Sequence, residues 1–150
     1  MNKKKKADLK TGLKMEDTLK PLFENKFGSL NKTHHYHNWD FENDNVLIEL
    51  KTRNINWEQY DSLMFSKKKI DYLTKNNITK DAYIFWKLKD GLYYWKYNKE
   101  ELQVMIGGRN DRGKNEYETC IYIKNQYIKN YNDLPFVPFK YDESSKHKDE

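Results

Sequence analysis

Glu49 and Lys51 stand two residues apart inside Val46–Arg53, VLIELKTR. The run reads as a buried strand. Alternate strand residues share a face, so Val46, Ile48 and Leu50 take one side and Leu47, Glu49 and Lys51 the other. Charged groups flanked by apolar ones are costly unless paired or put to use. A plain salt bridge between Glu49 and Lys51 is the simplest way to satisfy them. The preceding segment supplies a second use. If Asn43 and Asp44 form a two-residue turn, Phe41 lies opposite Val46, Asp40 opposite Leu47 and Asn38 opposite Glu49. Asp40 and Glu49 are then diagonal neighbours on one face, about 7–8 Å apart at the backbone. One extra turn residue would send Asp40 to the other face. Two clustered carboxylates repel unless a cation sits between them. Oxygen-only ligands suit Mg²⁺ or Mn²⁺, and a lysine beside such an ion can orient a water or offset charge developing on a phosphate. That is phosphodiester-hydrolysing chemistry.

The elements that must position these groups follow from periodicity. In GLKMEDTLKPLFENKFG, Met15, Leu19, Leu22, Phe23 and Phe27 have amphipathic helical spacing, closed by Gly28 as a C-cap. Pro21 falls inside it, which predicts a bend or a split into two helices. THHYHNWDF and NVLIELKTR, joined by Asn and Asp, form a hairpin. YDSLMFSKKKIDYLTKNN reads as a second helix ending near Asn76 and Asn77. DAYIFWKLK and LYYWKYN form another hairpin turning at Asp90-Gly91. KEELQVM is a short helix, GGRNDRGKNE a Gly- and Arg-rich loop, and YETCIYIK a last strand. The pattern is α/β, a central mixed β-sheet flanked by helices.

The chain has 150 residues and a formal net charge of +5, enough for one domain with a real core. Residues 1–8 read as a disordered basic tail, 9–139 as a single domain and 140–150 as a disordered C-terminal tail. A basic surface attracts polyanions, although a lysine-rich solvated face would look the same. Cys120 is the only cysteine, so no internal disulfide and no cysteine-based zinc finger can form. No secretory signal or membrane-length apolar run is visible. The expectation is a soluble intracellular protein of cytoplasm or nucleus, with no membrane and no small-molecule cofactor.

The ordered set of motifs resembles the PD-(D/E)XK nuclease superfamily. Asp40 matches its first strand carboxylate, and Glu49-Leu50-Lys51 its E-x-K. Gly12 stands four residues before Glu16, as in the G-x-x-x-E of archaeal-type Holliday junction resolvases. Trp39 occupies the place of the proline that gives the family its name. The resemblance covers residues 12 to 97. It implies a restriction-endonuclease-like core, with Glu16, Asp40, Glu49 and Lys51 catalytic and the three acids ligating Mg²⁺ or Mn²⁺. It also implies that the second helix sends Lys67 or Lys69 into the site, with Lys69 favoured by its place before Ile70. Arg53, Arg109 and Arg112 join these lysines as expected contacts to DNA. Small stand-alone proteins of this pattern look like phage or viral nucleases of DNA repair or recombination. Resolvase-like enzymes act as dimers, which makes a homodimer a further expectation.

Other motifs carry less. His34, His35 and His37 lack the further ligands a tetrahedral zinc site needs. Cys120 has no partner motif and reads as a buried apolar residue. IGGRNDRG lacks the GK[ST] of a phosphate-cradling loop. The aromatic hairpin reads as core and sheet surface, with base stacking as its other use. The leading expectation is a metal-dependent endodeoxyribonuclease, structure-selective or sequence-specific. Its rivals are an inactive nucleic-acid-binding module of the same fold and a basic interaction protein in which Glu49–Lys51 is only a salt bridge.

Overall fold

Apolar spacing at the N-terminus builds the longest element, helix α1 (Lys3–Phe27). Leu19, Phe23 and Phe27 repeat at four-residue intervals and are buried, whereas Leu22 is 38% exposed and lies off the stripe. The helix begins within the stretch that composition assigned to a tail. It also runs unbroken through Pro21, so the helix is not split. Pro21 is exposed, where the partner missing from its ring nitrogen costs least. Gly28 ends the helix at φ 81°, donating its N–H to the Glu24 carbonyl at 2.9 Å, the left-handed cap that glycine adopts without strain. A computed structural model describes residues 3–33, 39–106 and 120–136.

The remaining elements are β1 (Asn31–Lys32), β2 (Phe41–Glu42), β3 (Val46–Thr52), β4 (Ser62–Ser66), α2 (Lys68–Lys75), β5 (Asp81–Leu88), β6 (Gly91–Lys96), α3 (Lys99–Ile106), β7 (Cys120–Lys124) and β8 (Lys129–Asn130). Six strands form one mixed sheet in the order β1-β2-β3-β5-β6-β8, and β4 pairs with β7 in a separate two-stranded sheet. β3 and β5 are parallel; every other pair is antiparallel. Residues 46–50 of β3 are all buried, as expected for a strand covered on both faces. Val46, Ile48 and Leu50 pack with Phe23, Phe27 and Phe85 beneath α1. Leu47 packs on the opposite face with Phe65 of β4, Leu73 of α2, Leu102 of α3 and Ile123 of β7. This is the α/β layering expected of a restriction-endonuclease-like fold.

Several local expectations are corrected. Residues 60–66 do not begin the second helix. Ser62–Ser66 is strand β4, with Leu63 and Phe65 buried around exposed Met64, a period of two that pairing with β7 stabilises. The second helix starts only at Lys68. The β5–β6 turn is Lys89-Asp90, because Leu88 pairs with Gly91. Gly91 sits in the strand, where a Cβ would stand 2.9 Å from the Tyr93 hydroxyl. β7 is neither the last strand nor part of the main sheet. Cys120 lies opposite Ser66 and is half-buried rather than buried. The aromatic residues Phe85, Trp86, Tyr93, Tyr94 and Trp95 are core. No helix among the described residues is long and apolar enough to cross a membrane.

Candidate active site

The hairpin that carries the acids turns one residue later than the spacing suggested. Phe41 pairs with Ile48 and Glu42 with Leu47, and the Asn43 N–H donates to the Val46 carbonyl at 3.1 Å. Asp44-Asn45 is therefore the turn pair. The Asn43 side chain shapes it by accepting from the Asn45 and Val46 N–H groups at 2.8 and 2.9 Å, an Asx turn. Its amide also donates to the Phe27 and Ser29 carbonyls, both at 3.1 Å. Asn43 thus ties the turn to the end of α1 and fixes the helix against the hairpin. Moving a two-residue turn by one position shifts the register by two, which preserves the face of every side chain. The ladder's last regular pair is Phe41 with Ile48, so Asp40 lies just outside it, beside β3.

Regular pairing ends at Asp40. Its N–H donates to the Ile48 carbonyl at 2.9 Å, and its carbonyl accepts from the Thr33 N–H at 3.0 Å. Its carboxylate Oδ2 accepts the Leu50 N–H at 2.8 Å. The Thr33 hydroxyl donates to the Trp39 carbonyl. The chain bends at residues 39 and 40, so Trp39 and Phe41 do not share a core face. Trp39 packs with Leu47 and Phe41 with Ile48. The bend leaves Asp40 electrostatically coupled both to Glu49 on β3 and to Glu16 on α1.

Glu49 is 4% exposed. Lys51 Nζ lies 3.3 Å from its Oε2, and Lys69 Nζ, from the first turn of α2, lies 3.1 Å from its Oε1. The Lys69 ammonium is therefore the charge partner of Oε1. Burial first, and the Asp40 charge second, push the Glu49 carboxyl up to about 7 against the pull of both lysines. Glu16 is also pushed up to about 7, by burial and then Asp40, while Lys32 opposes the shift. Lys32 Nζ stands 3.6 Å from Glu16 and 3.0 Å from Asp17.

The Asp40 charge thus raises both Glu16 and Glu49, second only to their burial. Among the described residues no three His, Cys, Asp or Glu side chains are already drawn to metal-holding distance. The donor chemistry does fit a hard divalent cation. The groups are oxygen-only and partly buried, and the Asp40 charge repels both of the others. Asp40 and Glu49 would hold such an ion, with Glu16 as the expected third ligand.

The shifts predict a pH dependence. A carboxyl whose folded pKa exceeds its unfolded value binds its proton more tightly when folded. Glu16 and Glu49 therefore weaken the metal-free fold as pH rises from 4.5 to about 7. Thermal melts in chelator should show a falling contribution through that window. Mg²⁺ should raise the melting temperature more at pH 8 than at pH 5, because proton and cation compete for the same oxygens. Equal Mg²⁺ effects at both values would rule the competition out.

The other expected site residues separate. Lys69 reaches Glu49, but Lys67 is exposed and paired with Asp71 at 2.9 Å, away from the acids. Arg53 is exposed just beyond β3, with Nη1 on the Thr52 carbonyl at 2.9 Å. Arg109 and Arg112 lie outside the described residues, as do His34, His35 and His37. Lys32 escaped the sequence reading, because only the β1–β2 pairing brings it over Glu16.

A family model described as "Phage putative PDDEXK endonuclease" matches residues 4–132. The matched span takes in Glu16, Asp40, the Glu49–Lys51 strand and Lys69. Comparison with curated proteins and with solved structures returned no match. The family implies a nucleic-acid substrate, and its nucleases generally use divalent metals. With the acids, the lysines and the mixed sheet all falling inside the matched span, the chain belongs to this phage family of PD-(D/E)XK endonucleases.

Proposed function

We propose that the protein is a Mg²⁺- or Mn²⁺-dependent endodeoxyribonuclease, with Asp40 and Glu49 as the principal ligands and Glu16 as the third. The observation that carries this reading is the Leu50 N–H bond that holds the Asp40 carboxylate against the Glu49 strand, with two lysines on Glu49. A bound divalent cation would supply Lewis-acid activation of the attacking water and neutralise phosphate charge. The chain's own residues do the rest. Lys51, half-buried two residues after Glu49, leaves its ion pair to donate to a phosphate oxygen or to orient the water. Lys69 keeps positive charge on Glu49 while Lys51 is engaged. Lys32 steadies Glu16. Arg53 and Lys67 meet the DNA backbone, contacts that weaken with salt. No base-reading motif stands out, so cleavage guided by DNA structure, such as nicking at junctions, is part of the proposal.

One observation favours a second reading, an inactive nucleic-acid-binding module: each Glu49 oxygen already faces a lysine. The deciding experiment incubates the protein with supercoiled plasmid and with a four-way junction in Mg²⁺, Mn²⁺ or chelator. Nicking that needs the metal and is lost in Glu49→Gln supports the nuclease. DNA binding by folded protein with no cleavage in either metal supports the module. Sedimentation of the same sample reads whether two copies pair.

A further inference from the structure

Beyond the carboxylates, β3 continues into a cavity of about 970 Å³ that none of the three acids lines. The Arg53 N–H donates to the Lys87 carbonyl at 2.9 Å, so pairing with β5 persists past Thr52. The period of two then sets Arg53 on the face of Glu49 and Lys51, roughly 13 Å from Glu49 at strand rise. Trp86 is the β5 partner of Lys51. It is fully buried and held by its indole N–H on the Met64 carbonyl at 3.0 Å, and it forms part of the cavity wall. Tyr60 and Met64 line the same cavity and are 57% and 39% exposed. Tyr122 adds a second phenol ring, and Arg53 and Lys124 add two cations.

We propose that this cavity receives an unpaired nucleotide adjoining the scissile phosphate. The enzyme would then favour DNA in which a base is single-stranded or extruded over continuous duplex. The inference rests on the reading of the Glu49–Lys51 strand as the cleaving site. The volume matches small-molecule sites rather than a duplex groove. A stacked duplex offers base edges, whereas an exposed tyrosine needs a base face, which only an unpaired nucleotide presents. Cations beside that ring suit the flanking phosphates. Asp61, the one carboxylate in the lining, disfavours phosphate at its own position but can accept from a base amino group. The line Glu49, Lys51, Arg53 would then run from the cut to the held nucleotide.

The test uses the full chain in chelator, so that binding is read without cleavage. Fluorescence anisotropy compares a short duplex, the same duplex with one unpaired 2-aminopurine, and a single strand carrying it. The expected result is roughly tenfold tighter binding to the two unpaired forms, with 2-aminopurine emission quenched. Tyr60→Ala should abolish both the preference and the quenching. Val104→Ala, exposed on α3 and outside the cavity lining, should change neither. Preference for the single strand but not the bulged duplex would assign the pocket to single-stranded DNA; preference for both would add base extrusion. Equal affinity for all three with unchanged emission, no binding to any, or a Tyr60→Ala loss shared equally with duplex would overturn the proposal. Failure to nick plasmid with this preference intact would sink the nuclease reading and leave the pocket standing.

Discussion

Lys51→Ala is expected to lower metal-dependent plasmid nicking by roughly 100- to 1,000-fold, the usual cost of removing one charge-stabilising donor from a phosphate- or oxyanion-binding site. The fold should survive the change. Lys51 is only half-buried, and Glu49 retains Lys69 at 3.1 Å, so its charge is not left alone in the interior. The loss should fall on the rate at saturating DNA, because Lys51 acts on the reacting phosphate more than on distant backbone. Lys51→Arg should restore part of the activity by keeping the charge, though its forked guanidinium donates in a different geometry. Nicking rates at fixed Mg²⁺, set beside melting curves, separate chemistry from folding. A variant that melts normally and cuts within a few-fold of the parent would remove Lys51 from the mechanism.

Phe23→Ala should have the largest effect on stability, about 3–5 kcal/mol by the usual cost of emptying a buried aromatic site. Phe23 has no exposed surface. Its ring lies 4.6 Å from Phe85 at the centre of the sheet and 5.7 Å, edge-on, from Phe41 beside the acid hairpin. It is the peg by which α1 holds to the sheet, and Glu16 sits seven residues earlier on the same helix. The void would lie among residues fixed by β-pairing, which limits collapse around it. Urea unfolding should show a lower midpoint with little change in slope. A loss under about 1 kcal/mol would mean that the layer beneath α1 relaxes to fill the gap.

The contrast between these two sites shows what the sequence could disclose. The hairpin was legible because a face depends on parity: the turn moved by one residue and the register by two, which keeps Glu49 and Lys51 on one face, whereas the bend at Asp40, where alternation stops, left no local signal. The helix bearing Glu16 was legible from Leu19, Phe23 and Phe27, though Pro21 argued for a break that an exposed position makes tolerable. Strand β4 was not legible. Leu63 fits a helical stripe with Ile70 and Leu73 as well as it fits alternation with Phe65, and the choice is made by β7, some sixty residues further along. Lys32 was invisible for a related reason. Nothing in its local spacing points to Glu16, and only the pairing of β1 with β2 brings it there. Lys67 and Lys69 differ by half a helical turn, which sequence could rank but not resolve.

The hydrogen bond from the Leu50 amide to the Asp40 carboxylate makes that amide a gauge of the site. It belongs to a backbone position that a regular antiparallel ladder would pair with another main-chain group, yet its acceptor is an ionisable side chain. Its nitrogen-15 chemical shift should therefore respond when a cation binds the Asp40 carboxylate, and its exchange with deuterated solvent should follow the opening of this contact rather than of the strand as a whole. A single backbone resonance can then record cations arriving at the place where β2 and β3 part.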